Sequence, residues 1–276
     1  MSFADKLFIE NCREILHNGF DQTGQEVRPH WADGSPAYTK KAFALVNRYD
    51  LSREFPILTI RPINYRAAID ELLWIWQRKS NSVDDLNSKI WDQWAGADRT
   101  IGKAYGYQMQ VKHQYKEGMF DQVDRVLYDL KHNPASRRIL TSMYNFSDLH
   151  AMNLYPCAYS MTFNVTGNKL NAILNQRSQD MLVANGWNVC QYAVLVHMFA
   201  QVSGFQVGEL VHVIADAHIY DRHIDIVEKL IQEKQYPAPN FKINPEIKNF
   251  YDFKVEDFTF ENYETGPAVK KIPVAI

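Results

Sequence analysis

Cysteine is scarce in this chain. There are three in 276 residues, Cys12, Cys157 and Cys190, and no two are close in sequence. An odd, scattered set is neither a disulfide framework nor a zinc site. It fits a reducing compartment, so a cytoplasmic protein with no bound metal is expected. Charge of one sign is not in excess either: 30 Lys and Arg against 32 Asp and Glu leave a net charge of −2. Broad nonspecific nucleic-acid binding needs a basic face, and RNA binding as a second activity finds no signal here. A local arginine cluster for a small phosphate is still compatible with this balance. Long apolar runs are also missing. The most apolar stretch, residues 189–200, is interrupted by Gln191 and His197 and falls short of the ~20 residues of a membrane span. The first twenty residues read as an amphipathic helix with acidic residues rather than as a signal peptide. No repeat, low-complexity tract or linker breaks the chain, so residues 1–276 are expected to form a single large domain.

Hydrophobic residues make up 46% of the chain and aromatics 13%, enough for a sizeable core and for rings to line a pocket. Residues 2–18 have helical periodicity that stops at Asn18-Gly19. Residues 19–39, rich in Gly, Pro, Asp and Gln, form a long irregular loop carrying Arg28. Strands are expected at 42–49 and 55–60, and a strong helix at 65–78 with Ile69, Leu72, Leu73 and Trp76 on one stripe. Helix 122–132 stops before Asn133-Pro134. Segments 159–165 and 169–175 alternate around Thr166-Gly167-Asn168 and predict a hairpin. Residues 188–203 predict a buried central helix with Asn188 as N-cap and Gly204 as terminator. A buried strand follows at 210–220, then a helix at 222–235 and short strands near 241–243 and 258–263. Strands and helices mix without regular βαβ alternation, which predicts an α+β fold with a mixed β-sheet and flanking helices.

The chemistry concentrates in residues 153–188. Cys157 follows a proline that fixes the local backbone, and the cluster Gln176-Arg177-Ser178-Gln179-Asp180 lies between apolar segments. A lone cysteine is often a small buried hydrophobe. A reactive one needs nearby positive charge, which Arg177 supplies if strand pairing brings it close. A Cys–His hydrolase would need distant His218 as base. Thiolate attack on an activated ring needs only an arginine-rich pocket and polar groups for the ring edge. Position alone puts Arg28, Arg137, Arg138 and Glu71 on the solvent side.

Nine segments in order then resemble the thymidylate synthase family: ELLWIWQ, IWDQW, AYGYQ, NPASRR, YPC, QRSQD, WN, DAHIY and the terminal PVAI. The resemblance implies a homodimer of α+β subunits joined through their sheets. It implies reductive methylation of dUMP to dTMP, with 5,10-methylenetetrahydrofolate as carbon donor and reductant. On it, Cys157 is the nucleophile toward C6 of uracil, and Glu71 and Tyr105 serve proton transfer. Gln176, Arg177, Ser178 and Arg28 surround the nucleotide, with Arg137 and Arg138 reaching its phosphate from the other subunit. Asn188 reads the O4/N3 edge, and His218 and Tyr220 hold the sugar hydroxyl. Asp180, Trp91, Trp94, Leu154, Trp187, Arg61 and Ala275 face the folate, and the PVAI tail closes over both ligands. The arginines are expected to lower the Cys157 pKa.

An asparagine can donate to O4 and accept from N3–H, while cytosine presents the reverse pattern, so Asn188 points to uracil. The sequence departs from the family at Ala158, where histidine is common, as in a smaller branch with an apolar residue there. Two other functions use the same residues: a dUMP hydroxymethylase, and a non-catalytic nucleotide- or RNA-binding protein. The aromatic wall and intact tail, which exclude water, favour hydride transfer over hydroxymethylation.

Overall fold

The computed structural model describes residues 1–276. Helix α1 (Phe3–Asn18) opens the chain, capped by the Ser2 hydroxyl, which accepts from the Asp5 amide. Strands β1 (Phe20–Asp21) and β2 (Thr39–Asp50) flank the long loop. Then come α2 (Tyr65–Trp76), α3 (Gly106–Gln110), the small hairpin β3 (His113–Tyr115) and β4 (Gly118–Phe120), and α4 (Gln122–His132). Strand β5 (Leu140–Ser142) leads to the hairpin β6 (Ala158–Thr166) and β7 (Lys169–Gln176), and to the short β8 (Gln179–Asp180). The long α5 (Asn185–Ser203) precedes β9 (Gln206–Tyr220) and α6 (Ile224–Leu230). Strands β10 (Asn240–Ile243) and β11 (Phe258–Glu261) pair near the end.

The main sheet runs β1-β2-β9-β7-β6-β5, with β8 also on β9. Only β7 and β8 run parallel to β9; the other pairs are antiparallel. This is the mixed sheet of an α+β fold. Helix α5, apolar on all sides, packs between the sheet and α2, and Leu174, His212, Ile214 and Phe163 point into the same core. The opposite face of the sheet is bare. Leu140, Thr162, Ile173 and Val211 stand in register across it, and Phe43 on β2 is 87% exposed.

Three expected elements differ. Residues 55–60 are buried but form no strand. Pro56 has no amide hydrogen to give, and the amides of Thr59 and Ile60 donate to the buried Asp5 carboxylate at 2.8 and 3.2 Å instead of to a neighbouring strand. Helix α5 begins three residues before Asn188, with Ala184 at a cap position that makes no side-chain bond. Asn188 therefore sits inside the first turn with its amide free for other partners. The helix expected at 222–235 is only α6, where tight bonds from Gln232 to Lys229 and Glu233 to Leu230 end it.

Candidate active site

The parallel pairing of β7 and β8 with β9 gathers the polar residues at one end of the sheet. Ala158 pairs with Gln176, Gln176 with Ile214, and Asp180 with His218. Cys157 thus sits at the mouth of β6, beside the carboxyl ends of β7, β8 and β9, where open sheets commonly place ligand sites. Pairing also brings up the expected cation. The Arg177 guanidinium lies 3.6 Å from Cys157 Sγ, while its Nε and Nη2 donate to the carbonyls of Pro156 and Tyr155 at 3.0 and 2.8 Å. Cys157 is half-buried rather than a core residue.

Its thiol is not acidified. Burial raises the Cys157 pKa, and Arg177, the Tyr105 hydroxyl and Arg28 oppose that rise without reversing it. The expected lowering fails because burial outweighs Arg177, the Tyr105 hydroxyl and Arg28 together. Arg137 and Arg138 stand exposed beside a polar cleft of about 320 Å³ lined by Glu117, Arg125 and Ser136.

Tyr105 approaches from the other side, its hydroxyl accepting from the Cys157 amide at 3.1 Å. Its φ of +47° is in a region that L residues rarely adopt, a conformation that costs roughly 1–3 kcal/mol and clusters at functional sites. The next residue must be glycine: a Cβ on Gly106 would lie 2.0 Å from the Ser80 carbonyl oxygen. Burial puts the Tyr105 pKa well above its ordinary value.

Glu71 overturns its positional expectation. It is 5% exposed, buried within α2. Burial raises its pKa to about 7, against the Gln191 amide and the indoles of Trp91 and Trp187. That places a carboxyl acid near neutrality, the range suited to general acid–base work. Trp91 packs edge-on against Trp94 and Tyr105 at centroid distances of 5.4 and 5.0 Å. Leu154 and Trp187 are half-buried.

Asn188 is held by three amides. Its Oδ1 accepts from Gln176 and Gln179 at 3.2 and 3.4 Å, and its Nδ2 donates to Gln191 Oε1 at 3.2 Å. The Ser178 carbonyl accepts from Gln176 at 3.0 Å. Asp180 Oδ1 accepts from the amides of Leu182 and Val183, and lies 3.8 Å from His223 Nδ1. His218 Nδ1 bonds Asp216 at 2.8 Å, and Lys41 bridges Asp216 at 3.1 Å. Burial raises Tyr220 to about 12, with Asp180 adding to the rise and Arg28 opposing it. Arg61 turns inward and donates to the Leu182 carbonyl.

The chain terminus reaches the same place. Ile276 and His30 exchange backbone bonds of 3.0 and 2.9 Å, and the Pro273 carbonyl meets His223 Nε2 at 2.8 Å. Ala275 is half-buried between them. Trp31 fixes the loop that carries Arg28: its indole donates to Asp221 at 3.0 Å and packs on Tyr220 and His223.

Over residues 6–276 the chain matches the family model described as thymidylate synthase. It is 44% identical over 271 residues to the thymidylate synthase of Bacillus subtilis subsp. natto, covering 96% of this chain and 97% of that one. The chain belongs to the thymidylate synthase family. It is 45% identical over 271 residues to the Bacillus licheniformis thymidylate synthase, at the same coverage. The solved structure of thermostable thymidylate synthase A from Bacillus subtilis superposes with a TM-score of 0.95 at 43% identity, covering 100% of both chains.

The structure brings the expected residues together, apart from Arg137 and Arg138, which stand exposed elsewhere, and Leu154, which is half-buried against the core. Residues that sequence reasoning left without a role join them: Gln179, Gln191, His212, His223 and Trp31. For Gln191 the signal was visible, since a lone amide inside an all-apolar helix must find a buried partner. The other partnerships depend on distant chain segments and left no local mark. No three His, Cys, Asp or Glu side chains group as metal ligands, and no helix is long and apolar enough to cross a membrane.

Proposed function

We propose that this chain converts dUMP to dTMP, using 5,10-methylenetetrahydrofolate as carbon and hydride source. The observation that carries the reading is the contact of Arg177 with both the Cys157 sulfur and the carbonyls of its turn. It supports an anion site built onto a nucleophile. The nucleotide phosphate would lie against Arg177, Ser178 and Arg28, which orients a weakly reactive pyrimidine over the thiol. Because burial raises the Cys157 pKa, the sulfur is a thiol in the free chain. The thiol proton then passes to water as the sulfur attacks C6, a loss eased by the neighbouring guanidinium.

Addition of sulfur to C6 makes C5 nucleophilic and places charge on O4. Asn188 has one Nδ2 hydrogen beyond the one given to Gln191, and this would meet O4. Glu71, titrating near 7, would exchange a proton at the same edge. Tyr105, against the Cys157 amide, would stand by the proton that leaves C5. His218 and Tyr220 would hold the sugar.

The folate fits the residues present. Trp91, Trp94, Leu154 and Trp187 offer apolar surface for a fused ring, and Asp180 offers a carboxylate to its N–H donors. The folate supplies the one-carbon unit and the hydride. The tail from Pro273 to Ile276, docked on His30 and His223, would shut water out, which favours hydride transfer over hydroxymethylation. The inward-turned Arg61 would help hold Leu182 beside the folate rather than meet its glutamate tail directly. Ala158 is a core residue paired with Gln176, so the common histidine is not needed to position the nucleophile.

The bare sheet face, with Phe43, Val46, Leu140 and Ile173 exposed, supports a homodimer joined there, since monomers rarely leave such a face open. In that dimer Arg137 and Arg138 would reach the partner's phosphate site. The unpaired thiols of Cys12 and Cys190, both buried, fit a cytoplasmic setting. Product analysis tests the function: dUMP and methylenetetrahydrofolate should yield dTMP and dihydrofolate in equal amounts. A hydroxymethylated nucleotide, or no product, would overturn it.

A further inference from the structure

A line of buried amides runs through the site in a single direction. His212 Nε2 contacts Gln176 Oε1 at 2.8 Å, Gln176 Nε2 donates to Asn188 Oδ1 at 3.2 Å, and Asn188 Nδ2 donates to Gln191 Oε1 at 3.2 Å. Gln191 Nε2 then donates to Glu71 Oε1 at 3.0 Å. Two backbone carbonyls, which can only accept, fix the sense of this line. Gln191 Nε2 also donates to the Ala68 carbonyl at 3.0 Å, and Gln176 Nε2 to the Ser178 carbonyl at 3.0 Å. Neither glutamine can turn its amide without setting oxygen against oxygen. Asn188, caught between them, cannot turn either.

That matters because the presence of asparagine, expected to point to uracil, does not by itself fix a preference between the two pyrimidines. Its amide presents a donor and an acceptor, and a half-turn exchanges them. Turned over, Asn188 would suit the amino group and bare ring nitrogen of cytosine as well as it now suits uracil. Selectivity therefore lies in whatever prevents the turn. We propose that Gln191 is a specificity-determining positioning residue: anchored on the Ala68 carbonyl and Glu71, it locks Asn188 in the uracil-reading direction and ties that reading to the Glu71 carboxyl. The proposal rests on the assignment of dUMP as substrate. It extends that assignment to a residue that touches no substrate. Gln191 is 2% exposed, so water does not replace its bonds.

The amide has two functions, which two variants separate. Gln191→Leu removes both the acceptor for Asn188 and the donor to Glu71. Gln191→Glu keeps an acceptor for Asn188 but loses the donor to Glu71 and adds a second carboxyl beside it. Wild type and both variants are assayed as intact protein for dTMP formation across pH, and for dUMP against dCMP in competition binding. The leucine variant should lower the preference for dUMP roughly 3- to 10-fold, the range of one neutral hydrogen bond. It should also move the Glu71-linked inflection of the pH–rate profile to higher pH, because the lost donor favours the charged carboxylate. The glutamate variant should keep the preference and still move the inflection upward. If Gln191→Leu does not fold, Gln191→Met, which removes the same two hydrogen bonds with an unbranched side chain of similar length, is held to the same expectation. A change in kcat and KM with preference and inflection unmoved in the variants that fold would mean Gln191 only fills space, and would overturn the proposal. Wild-type protein that makes no dTMP would overturn the substrate assignment with it; wild-type dTMP production restricts a negative result to the lock alone.

Discussion

Replacing Glu71 by glutamine should abolish turnover and stabilise the fold at alkaline pH. The carboxyl is buried, and its pKa is raised from 4.5 to about 7 by that burial. A group raised in the folded state contributes stability that is complete below its unfolded pKa and is lost as pH rises through the folded value. In wild type the loss runs from about pH 4.5 to pH 7. Each pKa unit is worth about 1.4 kcal/mol, so ionised Glu71 costs the fold about 3 kcal/mol above pH 8, and less than about 1 kcal/mol at pH 5. Glutamine keeps the shape and an oxygen for the Gln191 amide, but cannot ionise. Its other effects on packing and hydrogen bonding do not vary with pH, so the pH dependence of the difference isolates the charge. Urea unfolding of nucleotide-free wild type and Glu71→Gln at pH 5.0 and 8.5 measures it. The variant's advantage should grow by about 2–3 kcal/mol between the two. A difference that stays constant with pH would mean Glu71 is not held protonated by burial, and the proton-transfer role assigned to it would lose its physical basis.

Arg177→Gln should slow iodoacetamide alkylation of Cys157 in the free chain by roughly 5- to 30-fold at pH 8, the effect of a partly screened charge contact of about 1–2 kcal/mol; an equal or faster rate would remove Arg177 as the charge that favours the thiolate. Asn188→Asp should shift preference from dUMP toward dCMP in competition assays, and unchanged selectivity would show that this side chain does not read the base. Two inactive chains, Cys157→Ser and the double variant Arg137→Ala with Arg138→Ala, should regain about a quarter of wild-type activity when unfolded and refolded together, since half of randomly assorted dimers then carry one complete site. No recovery would place those arginines in the same subunit's site.

The periodic and terminated elements could be read from the sequence. The β6–β7 hairpin around Gly167 and the stop of α4 at Asn133 follow from local turn chemistry. The missed elements were decided by tertiary partners. Residues 55–60 have the composition of a strand, but their amides are taken by Asp5, some fifty residues away. Asn188 has the residue type of a cap, yet three glutamines claim its side chain. In the site, residue types and motif order pointed to Cys157, Arg177 and Asn188. Burial was not legible: it reversed the expectation for Glu71 and the expected acidity of Cys157. Gln191 appeared only as an interruption in an apolar run, because its function is to hold two other side chains.

The proposed reaction depends first on covalent attack by Cys157 on a uracil nucleotide in the presence of folate. Incubation with 5-fluoro-dUMP and methylenetetrahydrofolate, followed by proteolysis and mass spectrometry, tests it directly. A ternary adduct is expected on the peptide that contains Cys157, and none in Cys157→Ser. An unmodified Cys157 peptide, or an adduct on Cys12 or Cys190, would contradict it.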